Sequence, residues 1–323
     1  MRDSSFAIVA PVHIQPSKEW VESVNRARGA GAVYIVDDSN GRVSLPKAWE
    51  VFPYDRQRAL LGDARFERFA QFHKSPPCKN FGIWQAWRDL FDVIVVIDSD
   101  CILPENFIEE HLGALSETVG GWENPLEGTG WHSRGFPYHK RARPVDVNMG
   151  LWTNELDVNG QDRVDLGVPP KEPLVRTRKV AHGVVPLSGM NVAFRREVTP
   201  AMMFMPHFDH EEWNFRRHDD IWGGYVLQKI MHKLDRKLSY GAPWVYHDTI
   251  VIPQKDADDE RAMIAHEERF YSFIDEIMSD ARGNDYGTVF ADFTEKAGKK
   301  AAGERAVFAP LVRACELWVE KFS

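Results

Sequence analysis

Residues 93–104 read VIVVIDSDCILP, and the fold turns on this stretch. Five β-branched residues in succession, Val93 to Ile97, suit a strand buried on both faces. The run stops abruptly at Asp98, Ser99 and Asp100. A buried strand that finishes in two carboxylates needs something to neutralise them.

The flanking sequence alternates. FAIVAPV (6–12) and AVYIVDD (32–38) are apolar, strand-like runs, and WEVFPY (49–54) reads as a third. Between them, SKEWVESVNRARGAG (17–31) is helical, with Ser17 as N-cap and Gly29 as stop. NFGIWQAWRDLF (80–91) sets Ile83, Trp84, Trp87, Leu90 and Phe91 on one helical face. PENFIEEHLGALSE (104–117) is a helix with Pro104 near its first turn. Strands and helices alternating at this spacing predict βαβ units and a mostly parallel sheet in an α/β fold. Ligands of such sheets sit at the carboxyl ends of the strands. Asp37 and Asp38 would then face the same crevice as Asp98 and Asp100.

Two residues apart on an extended chain, Asp98 and Asp100 point the same way. Such a pair holds a hard divalent ion, Mn²⁺ or Mg²⁺. A diphosphate sugar nucleotide supplies the anionic company that the ion requires, and the ion stabilises the phosphate leaving group. The D-x-D motif alone is weak. Asp256 and Asp258 form another, at what reads as the solvated start of a helix. The bland alternative for Asp98 and Asp100 is an acidic strand end that binds nothing.

Residues 121–188, rich in Gly, Pro, Trp and Arg, read as loops and short strands around a binding site. VVPLSGMNVAFRREV (184–198) carries Gly189 and Asn191 inside an apolar run. RRHDDIWGGYVLQKIMHKL (216–234) starts a helix at Asp219 and Asp220, with an expected apolar face of Ile221, Tyr225, Leu227, Ile230 and Leu234. Acid at a helix start is common for dipole reasons alone, so capping weighs as heavily as function there. APWVYHD (242–248) ends near His247, a candidate third metal ligand or a hydrogen-bonded packing residue.

Composition narrows the classes. Of 323 residues, 43% are hydrophobic and 27% charged, as in ordinary globular proteins. A net charge of -8 gives no global attraction to nucleic acid or anionic lipid. No apolar run reaches the roughly 20 residues of a membrane helix, and MRDSSFAIVAPV reads as no signal peptide. Three distant cysteines, Cys78, Cys101 and Cys315, argue for a reducing, cytoplasmic setting. Most of the eleven tryptophans are expected to pack, with some available as platforms for flat ligands.

Four blocks together resemble the reversibly glycosylated polypeptides, the UDP-arabinopyranose mutases best known in plants. They are VIDSDC, SRGFPYHKR…MGLW, PLSGMNVAFRREVTPAMMF and RHDDIWGGYVLQKI; HKSPPCKNFG and PWVYHD also fit. The resemblance runs from about residue 6 to at least 250. It implies a GT-A type nucleotide-diphospho-sugar transferase fold with a Rossmann-like sheet, a Mn²⁺ or Mg²⁺ ion and a UDP-sugar. It further implies interconversion of pyranose and furanose rings of UDP-arabinose, with reversible self-glycosylation on an arginine. The acid triplet falls on Asp98, Ser99 and Asp100, where the plant pattern has three aspartates; metal binding should survive the change at Ser99. The glycosylated arginine falls on Arg134 and a second on Arg141. The acid pair falls on Asp219 and Asp220, near the sugar, and the late histidine on His247. Gly189 and Asn191 join the donor site, and Asp37 and Asp38 the nucleoside. A guanidinium is a poor nucleophile but a good bidentate phosphate ligand, so Arg134 and Arg141 are read first as diphosphate clamps.

The expected organisation is a GT-A catalytic region over residues 1–250 and a helical extension over 251–323. Two activities share such a donor site: a mutase, and a transferase to a protein, glycan or hydroxylated DNA base. The basic clusters YHKRARP and PKEPLVRTRKV would suit a nucleic-acid acceptor, though the acidic net charge leans against it. A homo-oligomer is left open. A binding protein without catalysis is the weakest reading, because the acid set is retained.

Overall fold

Strands β1 (Phe6–Val12), β2 (Ala32–Asp37), β3 (Glu50–Phe52) and β4 (Val93–Ile97) run parallel. Their crossovers hold α1 (Lys18–Ala27), α2 (Tyr54–Leu61), α3 (Asp63–Phe69) and α4 (Lys79–Arg88). Next come β5 (Cys101–Ile102), α5 (Phe107–Leu115), β6 (Thr118–Gly120), β7 (Ala142–Asn154), α6 (Gly160–Leu166), β8 (Lys179–Val180) and β9 (Asn191–Arg195). A hairpin of β10 (Phe208–His210) and β11 (Trp213–Phe215) precedes α7 (Asp219–Lys233) and β12 (Lys237–His247). Helices α8 (Pro253–Met278), α9 (Tyr286–Lys300) and α10 (Ala309–Val319) complete the chain. This computed structural model describes residues 4–39, 41–69, 72–120, 126, 129–131, 133–135, 142–173, 175 and 177–322.

The main sheet has the order β3-β2-β1-β4-β9-β7-β12-β5, with β6 on β7 and β8 on β12. Strand β9 is antiparallel to both β4 and β7, and β7 is parallel to β12. The carboxyl ends of β1, β2, β4, β7 and β12 therefore share one edge with the amino end of β9. The expected α/β architecture around a mostly parallel sheet is what the chain builds.

All five residues of β4 are buried, and they alternate between two cores. Val93, Val95 and Ile97 pack with Trp20, Val24 and Phe107 on one face. Ile94 and Val96 pack with Phe81, Ile83 and the helical side on the other. Ser17 caps α1 by accepting from the Trp20 N–H at 3.1 Å. Gly82 lets α4 lie close on the sheet: a Cβ there would stand 2.6 Å from Val9 Cγ1 and 2.9 Å from Val36 Cγ2.

Three sequence expectations change. Helix α4 stops at Arg88, and Leu90 is 67% exposed with φ 67° instead of completing an apolar stripe. The buried face of α7 is Trp222, Val226, Leu227, Ile230 and Met231, whereas Ile221, Tyr225 and Leu234 are only partly buried. The region expected to hold loops and short strands contains β7, thirteen residues long and inside the sheet. It was illegible because it buries polar residues, Asp146 and Asn148. Asp146 accepts from the Tyr286 hydroxyl at 2.8 Å, and Asn148 donates to Ala242 O at 3.1 Å. The closing helices share the core, with Trp222 stacked on Phe270 at 4.1 Å.

Candidate active site

At the end of β4 the chain turns instead of staying extended: the Cys101 N–H donates to Asp98 O at 3.2 Å. Asp98 and Asp100 thus reach one cavity by a turn, not by strand periodicity. The cavity holds about 180 Å³ and is also lined by Asp157, Arg163, Met190, Arg217, His247 and Asp256. Four carboxylates, two guanidinium groups and the His247 imidazole face one another there. Its volume suits an ion with phosphate groups, being below the roughly 300–1,000 Å³ of a whole small-molecule site.

Each acid has its own counter-charge. Lys79, the first residue of α4, is 1% exposed, and its Nζ lies 2.7 Å from Asp98 Oδ1. The same ammonium donates to Gly189 O at 3.2 Å and lies 4.7 Å from the centre of the Phe204 ring. Burial works against the charged Lys79, but Asp98 and Asp219 outweigh it and hold its pKa above the ordinary lysine value. Burial, with Asp100 and Asp219 adding to it, raises the pKa of Asp98 despite Lys79. Asp100 faces His247, with Oδ2 and Nε2 3.5 Å apart. Burial opposes ionisation of Asp100, yet His247 and Thr249 keep its pKa low. His247 Nδ1 lies 2.7 Å from Glu155 O, so that nitrogen donates and Nε2 is left towards Asp100.

Behind the cavity stands the acid pair at the start of α7. Asp219 Oδ1 lies 3.1 Å from His207 Nε2. Asp220 Oδ2 accepts from the Gly189 N–H at 2.8 Å, and Oδ1 from the Ile221 N–H at 2.9 Å. Burial, then the charges of Asp219 and Asp157, push the Asp220 pKa up to about 8. Its carboxyl therefore keeps its proton near neutrality. Gly189 is demanded by packing, since a Cβ would stand 2.2 Å from Phe204 Cε1.

Other expected residues are placed differently. Asn191 is fully buried: its amide donates to Leu151 O and Pro243 O, and its Oδ1 meets His111 Nε2 at 3.0 Å. It clasps strands together rather than facing the cavity. Asp37 accepts from Ser39 N at 2.9 Å and Gly41 N at 2.8 Å, shaping its own loop. Asp38 accepts from the Tyr54 hydroxyl. Arg134 is exposed on a turn, and no hydrogen bond or ion pair among the described residues joins it to the acid cavity. Arg141 lies outside the described residues. Asp256 does lie in the first turn of α8 as expected, but it is only partly exposed and lines the cavity, 3.6 Å from Arg217.

Sequence reasoning missed Lys79, Asp157, Arg163 and Arg217. Arg217 braces the wall, reaching Glu260 at 2.9 Å and Asp157 at 3.5 Å. Arg163 binds Glu155 at 3.1 Å. Lys79 sits in HKSPPCKNFG and Arg217 directly precedes HDD, so both had a signal in blocks already noticed. Asp157 and Arg163 had none.

A sequence model described as reversibly glycosylated polypeptide matches residues 31–323. The chain belongs to the reversibly glycosylated polypeptide family. Among similar members is UDP-arabinopyranose mutase 1 of Arabidopsis thaliana, 26% identical over 306 residues, covering 88% of this chain and 82% of that protein. Another is the probable UDP-arabinopyranose mutase 1 of Pisum sativum, 26% identical over 270 residues, covering 76% and 71%. The solved glucosyl-3-phosphoglycerate synthase of M. tuberculosis is 16% identical, with TM-score 0.41 over 83% of this chain and 81% of that one. This member of the family is an enzyme. None of its described helices is long and apolar enough to cross a membrane.

Proposed function

We propose that this chain binds a UDP-sugar together with Mn²⁺ or Mg²⁺ and interconverts the pyranose and furanose forms of the sugar, as a UDP-arabinopyranose mutase. One observation carries the reading: Asp98, Asp100 and His247 line one acidic cavity at the carboxyl end of β4. An all-oxygen and imidazole donor set, with no thiolate, fits a hard divalent ion. Asp98, Asp100 and His247 would hold it, and when bound it offsets charge on the diphosphate.

The chain's own residues do the rest. Arg163 and Arg217, already on the cavity wall, take phosphate oxygens, and Arg134 and Arg141 add clamps as the donor seats. Asp37 and Asp38 read the nucleoside at the ends of the neighbouring strands. In the reaction the bond from the anomeric carbon to the β-phosphate oxygen breaks and UDP stays in place. The ring reopens, recloses through a different hydroxyl, and the same bond forms again. Asp220, carrying its proton, orients a sugar hydroxyl, and Asp219 with His207 holds the charge beside the developing oxocarbenium. Arg134, exposed on its turn, is the position for reversible self-glycosylation. The buried, reduced state of all three cysteines accords with a cytoplasmic setting.

The test is incubation with UDP-arabinose and Mn²⁺, followed by separation of the nucleotide sugars. A ring isomer with UDP intact supports the mutase. Hydrolysis to UDP and free sugar without any isomer refutes it and favours a transferase lacking its acceptor.

A further inference from the structure

The turn that carries Asp98 and Asp100 lies between β4 and β5, and α1 holds its two ends. Trp20 is fully buried, and its indole Nε1–H donates to Asp98 O at 3.0 Å. That carbonyl also accepts from the Cys101 N–H, so both of its lone pairs are used. One turn further along α1, the Ser23 hydroxyl donates to Trp20 O at 2.8 Å and accepts from the Leu103 N–H at 3.1 Å. Arg26 then donates to Leu103 O at 3.3 Å. Trp20 is itself steadied. The Trp49 ring packs nearly perpendicular to it, with centres 5.7 Å apart, and Trp49 Nε1–H donates to Asn25 Oδ1 at 2.9 Å. On the side of β12, the Asp248 N–H donates to Asp100 O at 2.8 Å, next to the pairing of Cys101 with His247.

We infer that Trp20 is a positioning residue for the donor site: its indole N–H fixes the peptide plane between Asp98 and Ser99, and so the angle at which the Asp98 and Asp100 carboxylates face a bound ion. The inference rests on the metal and diphosphate reading of this cavity. Carboxylates that ligate an ion lose affinity when the hydrogen bonds orienting them go, because the turn must then be ordered as the ion binds. Filling the core does not do this work. A phenyl ring at position 20 would occupy most of the same space and leave Asp98 O with one donor fewer. Ser23 fixes the far end of the turn at Leu103, so one face of α1 acts as a template for residues 98–103.

The experiment uses the full chain with benzothienylalanine in place of Trp20, which keeps the shape of the indole and puts sulfur where the N–H was; Trp20→Phe is made in parallel. Circular dichroism checks the fold of both. Without ligand, hydrogen–deuterium exchange should quicken over residues 98–103 and stay unchanged in β1 and β2. In calorimetry, the gain in UDP affinity that Mn²⁺ confers on wild type should shrink about fivefold or more, as for one lost hydrogen bond, with UDP affinity in chelator unchanged. Unchanged exchange over residues 98–103, or an undiminished gain from Mn²⁺, in the folded isostere overturns the proposal. So does an equal loss of UDP affinity with and without Mn²⁺, the mark of a purely structural role. If wild type itself gains nothing from Mn²⁺, the metal reading falls, and exchange over residues 98–103 alone upholds or overturns the pinning by Trp20.

Discussion

Lys79 keeps a full positive charge where water scarcely reaches, and Asp98 is the reason. Removing one member of such a pair leaves the other buried without compensation, at a cost of about 3–5 kcal/mol. Lys79→Met should therefore lower stability by that order in urea denaturation, and Lys79→Met with Asp98→Leu should recover part of it. Asp100 is more open, and its ion pair with His247 is looser at 3.5 Å. Asp100→Ala should fold normally and lose metal-dependent UDP affinity; calorimetry with and without Mn²⁺ checks this, and equal affinities in variant and wild type would refute the ligand role. Asp220 makes a pH prediction. Its folded pKa is raised to about 8, above the roughly 3.9 of an unfolded aspartate. Between these values the folded state binds the extra proton, so this group's contribution is fully present below about pH 4 and is lost as pH rises through about 8. Melting temperatures of Asp220→Asn without metal should exceed wild type by a small margin at pH 5 and by a larger one at pH 9. The same variant should lose turnover far more than UDP affinity, since UDP lacks the sugar.

At the scale of elements, the site is a meeting of ends. The amino end of β9 brings Gly189 and Met190 to the edge where β4 and β12 finish, because β9 runs antiparallel to β4 and β7. Asn80 locks α4 to the segment before α7, donating to Phe204 O at 2.7 Å and accepting from Phe204 N at 2.9 Å. This clasp sets the ring over which the Lys79 ammonium sits. Helix α7 is anchored from the far side by Trp222, fully buried and stacked on Phe270 of α8. Trp222→Ala should cost about 3–5 kcal/mol in equilibrium unfolding. Because α7 carries Asp219 and Asp220, the surviving folded fraction should also show reduced turnover.

For the whole molecule, donor binding and folding are linked. UDP with Mn²⁺ at a hundredfold excess over its dissociation constant should add about 2.7 kcal/mol to stability, and chelation of the metal should remove most of it. The parallel half of the sheet was legible in the sequence because each buried strand is a short apolar run punctuated by an amphipathic helix. VIVVIDSDC placed two acids at a strand end, and that much follows from local periodicity. The partners of those acids did not. Lys79 lies nineteen residues before Asp98, and Asp157, Arg163 and Arg217 come from later loops and a short helix. Strand β7 escaped notice because Asp146 and Asn148 look like solvent-facing residues until Tyr286, 140 residues away, and the carbonyl of Ala242 are brought against them. Sequence by itself therefore determined which segments are strands and helices wherever burial imposes a repeating pattern. Only the tertiary structure decided which charges meet, because a buried carboxylate is neutralised by whatever the packing carries within a few ångströms, at any distance along the chain.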